Sequence, residues 1–122
     1  MESLMVVALT LASLLMQTAP NPGAHSGVGL VSYEEAVRCA GLTQAASELE
    51  GGESTEGQRL YDAALFWSLA AMQAGTAAGK PAPAAEADQT RARIEAVRRL
   101  NADAPAARAA LQRCLQKTPD LN

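Results

Sequence analysis

Along the chain the apolar positions form one solid block and then four periodic stretches. Residues 4–16 (LMVVALTLASLLM) are apolar and carry no charge. From residue 32 onward, apolar side chains recur at steps of three and four, the helical period. Ser32-Tyr33-Glu34-Glu35 has the S-x-x-E form of a capping box and predicts a helix over 32–50. Its inward line is Cys39, Leu42, Ala46 and Leu49, with Glu34 and Arg38 as an i,i+4 pair outside, and Gly51-Gly52 stops it. Thr55, with Gln58 three residues on, predicts a second helix over 55–74. Its apolar content is nearly continuous over residues 60–72, the pattern of the central helix of a bundle. The short link between the first two helices makes them antiparallel neighbours.

Residues 75–83 (GTAAGKPAP) read as a linker. A third helix is predicted over 84–101, with Ala87, Thr90, Ile94 and Val97 inward and Leu100 adjacent. Arg91, Arg93, Glu95, Arg98 and Arg99 lie on its outer face. Asp103 as cap and Pro105 in the first turn predict a fourth helix over 103–117, with Ala107, Leu111 and Cys114 on one face and Pro119 beyond its end. The pattern predicts an all-α fold: a small four-helix bundle of two antiparallel helical hairpins. Its burial is expected to come from Leu42, Leu49, Leu60, Leu65, Ile94, Val97, Leu100 and Leu111.

The N-terminal block is too short to span a bilayer with ease and has the length of an export-signal core. Pro20, Pro22 and Gly23 follow it, and Ala24-His25-Ser26 has the small-x-small form that a signal peptidase reads. Residues 1–26 are therefore read as a signal peptide and 27–122 as a single helical domain, periplasmic or secreted. The first residues hold Glu2 and no Lys or Arg, so an uncleaved inner-membrane anchor is the alternative. In an exported chain the two cysteines, Cys39 and Cys114, are expected to pair. Both fall on inward faces, one on the first helix and one on the last. Closing so long a loop is worth about 4 kcal/mol.

Composition sharpens this picture. The chain is 48% hydrophobic but only 3% aromatic, so its interior is built from Ala, Leu and Val. A formal net charge of -3 argues against a nucleic-acid partner. The charge is divided: residues 32–62 hold seven acids and two bases, residues 80–117 eight bases and four acids. The two halves are expected to pack core to core with their rims adjacent, the alternative being a basic face for an acidic partner.

The sole histidine, His25, lies in the signal segment, which excludes a Cys-His or Ser-His dyad and a histidine metal site from the folded part. No cofactor and no metal are expected, and the protein reads as a non-enzyme. One place exceeds structural need. Phe66 and Trp67 are adjacent, so they point about 100 degrees apart on a helix. With Tyr61 and Tyr33 they are candidates for an apolar groove; otherwise they pack the core, with Trp67 at its edge. Arg91, Arg98 and Arg99 are the candidates for a basic partner stripe.

Arg38-Cys39-Ala40-Gly41-Leu42, Asp62-Ala-Ala-Leu-Phe-Trp67, Glu86-Ala-Asp-Gln-Thr-Arg91 and Arg113-Cys114-Leu115 carry a resemblance. Over residues 33–116 the chain resembles short, Ala-rich exported helical proteins of alphaproteobacteria that have no assigned activity. The resemblance implies the helical fold and the exported compartment and supplies no mechanism. Periplasmic acid-stress chaperones of the HdeA type are an analogy only, since their Trp-x-Cys opening is absent here. Function is thus expected to be that of an exported interaction or scaffold protein with a protein partner. The alternative is a binder of an apolar ligand or client polypeptide near the second helix.

Overall fold

The structure is a computed structural model and describes residues 31–120; the signal-peptide reading of residues 1–26 lies outside them. Four helices follow in order: α1 (Tyr33–Glu50), α2 (Thr55–Ala77), α3 (Ala82–Asn101) and α4 (Pro105–Lys117). No strand occurs among the described residues. Cys39 and Cys114 form a disulfide that closes the bundle, with their Cα atoms 5.5 Å apart.

The helix ends show which local signals prevail. The Glu35 amide donates to Ser32 Oγ at 3.0 Å, which starts α1. The Glu35 carboxylate does not complete the expected box; it pairs with Lys117 of α4. Gly51 ends α1 with φ 86°, in the left-handed region that favours glycine. The cap of α2 is Ser54, one residue before the expected Thr55, and its Oγ accepts from the Gly57 amide at 2.9 Å. Gln58 Nε2 donates to the Gly52 carbonyl at 2.6 Å instead of to the cap. The α1–α2 turn explains the choice. A Cβ on Gly57 would lie 1.8 Å from the Gly51 carbonyl oxygen, so the chain closes tightly there and Ser54 falls at the helix entrance.

The other boundaries shift for similar reasons. Gly75 does not end α2, because it is buried against Tyr33 and Ala85; Gly79, with φ 78°, makes the turn two residues past the helix. Asp103 does not cap α4. It takes φ 62° and its carboxylate pairs with Arg108, while Ala104 stands at the cap position without a side-chain bond.

The central helix is α1, not the more continuously apolar α2. It packs against all three others, burying Ala36, Cys39, Ala40, Gly41, Leu42, Thr43, Ala45 and Ala46. Small residues on every side let neighbours approach from every side. The buried Thr43 hydroxyl is satisfied by donating to the Cys39 carbonyl at 2.7 Å. α2 buries one stripe, including Leu60, Ala63, Trp67 and Ala71, and leaves Tyr61, Leu65 and Leu69 exposed. Leu49 and Ile94, also expected inside, are exposed.

α3 is turned relative to its expected face. Ala85, Gln89 and Ala96 are buried, whereas Ala87, Thr90 and Ile94 are exposed; Val97 and Leu100 remain packed on the core. The contact with α1 sets this rotation. A Cβ on Gly41 would lie 2.6 Å from the Ala92 carbonyl carbon, so the two backbones nearly touch and the branched side of α3 has no room there. The face of α4 is as expected, with Ala107 and Cys114 buried and Leu111 against the core.

Among the described residues, ion pairs from Arg93 to Glu48 at 3.2 Å and from Lys117 to Glu35 join the acidic first hairpin to the basic second half. Exposure reverses one energetic expectation. Leu65 is 52% exposed, so Leu65→Ala belongs with surface changes and is expected to cost about 0.5 kcal/mol, not the several expected of a buried leucine. Leu60, at 4%, is the buried leucine of this helix, and Leu60→Ala is expected to cost about 2–3 kcal/mol. Thermal melts of the two variants check the order; equal losses would place the α2 core face elsewhere.

Candidate functional site: an alanine-floored groove

Helix pairs pack at interaxial distances of about 8–10 Å, set by the side chains between them. Gly41 and Ala92 hold α3 against α1, and the Cys39–Cys114 bond holds α4 against α1. α3 and α4 make few contacts with each other. The side chains aimed into the wedge between the three helices mostly end at Cβ and leave it unfilled. The result is a groove of about 440 Å³. Its floor is Val37 and Leu42 from α1, Ala92 and Ala96 from α3, and Ala107 and Ala110 from α4. That volume lies at the lower end of the range for small-molecule sites, about 300–1,000 Å³.

The rim is polar. At one end the Tyr33 hydroxyl donates to Asp88 Oδ2 at 2.8 Å, and the same oxygen accepts from Lys80 Nζ at 3.4 Å. Arg91 pairs with the other oxygen of Asp88. The Lys80 ammonium also lies 4.8 Å from the centre of the Tyr33 ring. Desolvation, and then the bond to Asp88, push the Tyr33 phenol up to about 12. The hydrogen bond from Tyr33, and then Lys80, hold the Asp88 carboxyl below its usual range. At neutral pH the pair is therefore a neutral donor on a carboxylate, tying the start of α1 to α3.

Farther along, Glu95 accepts from Arg98 and from Arg99, each at 2.8 Å. Arg38 also lines the groove. The i,i+4 pair expected between Glu34 and Arg38 is absent, and Arg38 makes no ion pair among the described residues. Its neighbour one turn earlier on the rim is Glu34.

The aromatic candidates do not form a groove together. Trp67 is 1% exposed, at the centre of the core and not its edge. Its Nε1 donates to Thr118 Oγ1 at 2.8 Å, and that hydroxyl donates to the Cys114 carbonyl at 2.7 Å. Phe66 packs edge-on against it, ring centres 5.1 Å apart. Tyr61 is exposed and lines a separate hollow with Glu48, Leu65 and Arg93. Of the basic candidates, Arg99 stands on the groove rim and is bound to Glu95, as Arg98 is, while Arg91 is bound to Asp88. The groove itself was missed in the sequence. Its signal was the lack of any side chain larger than Ala at Ala92, Ala96, Ala106, Ala107 and Ala110 on adjacent helices.

Both cysteines are in the disulfide, and the described residues contain no group of three or more His, Cys, Asp or Glu placed to hold a metal ion. No described helix is long and apolar enough to cross a membrane. The chain matches no family model, no curated protein and no solved structure.

Proposed function

We propose that the protein is an exported, non-enzymatic binding module whose groove between α1, α3 and α4 takes an apolar ligand or an apolar segment of a partner. The observation that carries this reading is the groove: a concave, alanine-floored surface ringed by charged side chains. The ionisable groups support a binding role over a chemical one. Asp88, the carboxyl with a shifted affinity for protons, is held ionised by its partners and is not poised as an acid or base. Export is supported by the disulfide, which fits an oxidising compartment, together with the apolar block at residues 4–16. The groove between α1, α3 and α4 supports this binding reading better than the second helix does, where Trp67 is core.

Filling the groove tests the proposal. Ala106 is exposed and Ala110 partly buried at the core's margin, so Ala106→Phe and Ala110→Leu add volume to the groove without replacing a buried residue. The native chain is expected to bind N-phenyl-1-naphthylamine saturably, with an increase in probe fluorescence. Each variant should weaken that binding about tenfold or more while the melting temperature moves little. Unchanged probe binding in both folded variants would move the site away from this groove.

A further inference from the structure

We infer that the occupant of this groove is a free single-chain carboxylate, a long-chain fatty acid, with its head on Arg38 and its tail along the alanine floor. The inference rests on the groove being a binding site and adds the chemistry of its ligand. The chain as a whole is acidic, yet around the groove, with the partners of its lining residues included, cations outnumber carboxylates. Asp88 is shared by two cations, Lys80 and Arg91, and Glu95 by two more, Arg98 and Arg99. Glu34, on the same rim, has no such partner among the described residues, so the groove lining and its ion-pair partners together hold five cations (Arg38, Lys80, Arg91, Arg98 and Arg99) against three carboxylates (Glu34, Asp88 and Glu95). Arg38 adds a guanidinium with no ion pair among the described residues, at the edge of an apolar surface. A guanidinium presents a planar fork of donors that matches a carboxylate in two parallel hydrogen bonds. An apolar tail beneath an anionic head is the ligand shape that uses both features together.

Size selects one chain over two. The groove, at about 440 Å³, suits one alkyl tail and not the paired tails of a bilayer lipid. Its floor is apolar along Ala92, Ala96 and Ala107, with no buried polar group that a hydroxylated tail would satisfy. Affinity should therefore rise with chain length, by about fourfold for each methylene buried, until the floor is covered.

Displacement of N-phenyl-1-naphthylamine by twelve-carbon compounds, used below their micellar concentrations, tests the inference in the full mature chain. Dodecanoate is expected to displace the probe about tenfold more effectively than dodecanol, and dodecyltrimethylammonium least of all. Arg38→Gln, an exposed position, should abolish the advantage of dodecanoate over dodecanol. Equal displacement by acid and alcohol in the native chain overturns the fatty-acid inference and leaves the groove reading standing. Failure of the probe and of every twelve-carbon compound to bind overturns both. Sedimentation of the chain with phosphatidylglycerol vesicles that is lost in Arg38→Gln, without displacement by dodecanoate, overturns the inference in favour of a membrane surface.

Discussion

Trp67→Ala is expected to destabilise the protein by about 3–5 kcal/mol. Trp67 is the only tryptophan and the largest fully buried side chain, set among residues of which most are alanine. Alanines cannot swing in to fill the space an indole leaves, so the cavity persists and its full cost is felt. The change also removes the donor to Thr118, which fixes the residue following α4. Trp67→Phe should recover much of the packing but not that bond, and fall between the two. Circular dichroism at 222 nm during thermal unfolding measures both variants. A loss under 1 kcal/mol in Trp67→Ala would mean that the core is organised around other side chains.

Loss of the disulfide has a comparable effect with a different distribution. The bond spans 75 residues, and closing such a loop is worth about 4 kcal/mol through the unfolded chain. Its removal should also act locally. α4 buries only Ala107 and Cys114 and rests Ala110 and Leu111 on the core, so the bond, the Trp67–Thr118 contact and the Lys117–Glu35 pair carry much of its attachment to the bundle. An exposed ion pair contributes about 0–1 kcal/mol and does not replace the bond. In a Cys39→Ser, Cys114→Ser double variant, the α4 amides should therefore exchange hydrogen much faster than those of α1 and α2. Uniform loss of protection along the chain would contradict a weakly held α4. Because α4 forms one wall of the groove, the same variant should also lose probe binding.

The parts of the fold that were legible in the sequence are those decided by one or two residues. Ser32 as cap, Gly51 as stop, and the inward placement of Cys39 and Cys114 each follow from local chemistry or from period. What was not legible was decided by shape across the bundle. In an alanine-rich helix several faces are equally apolar, so the face of α3 cannot be chosen by hydrophobic period. The Gly41–Ala92 approach chooses it, and it puts Ile94 outside. α2 looked central because its apolar residues are large and continuous, but a central helix needs small residues all round, and those are on α1. Ser54 and Thr55 are both competent caps, and the tight turn at Gly57 selects the first. The groove was least legible of all, because a void is defined by what three separate helices fail to fill.

Alanine methyl resonances report where an apolar ligand touches the protein. In a methyl-labelled sample titrated with dodecanoate, Ala92, Ala96, Ala107 and Ala110 are predicted to shift together with one saturating midpoint. Ala63, Ala64 and Ala71, buried on the inward stripe of α2, should stay in place. Shifts confined to the methyls of α2, or none at any concentration below micelle formation, would contradict the groove as the working surface of this protein.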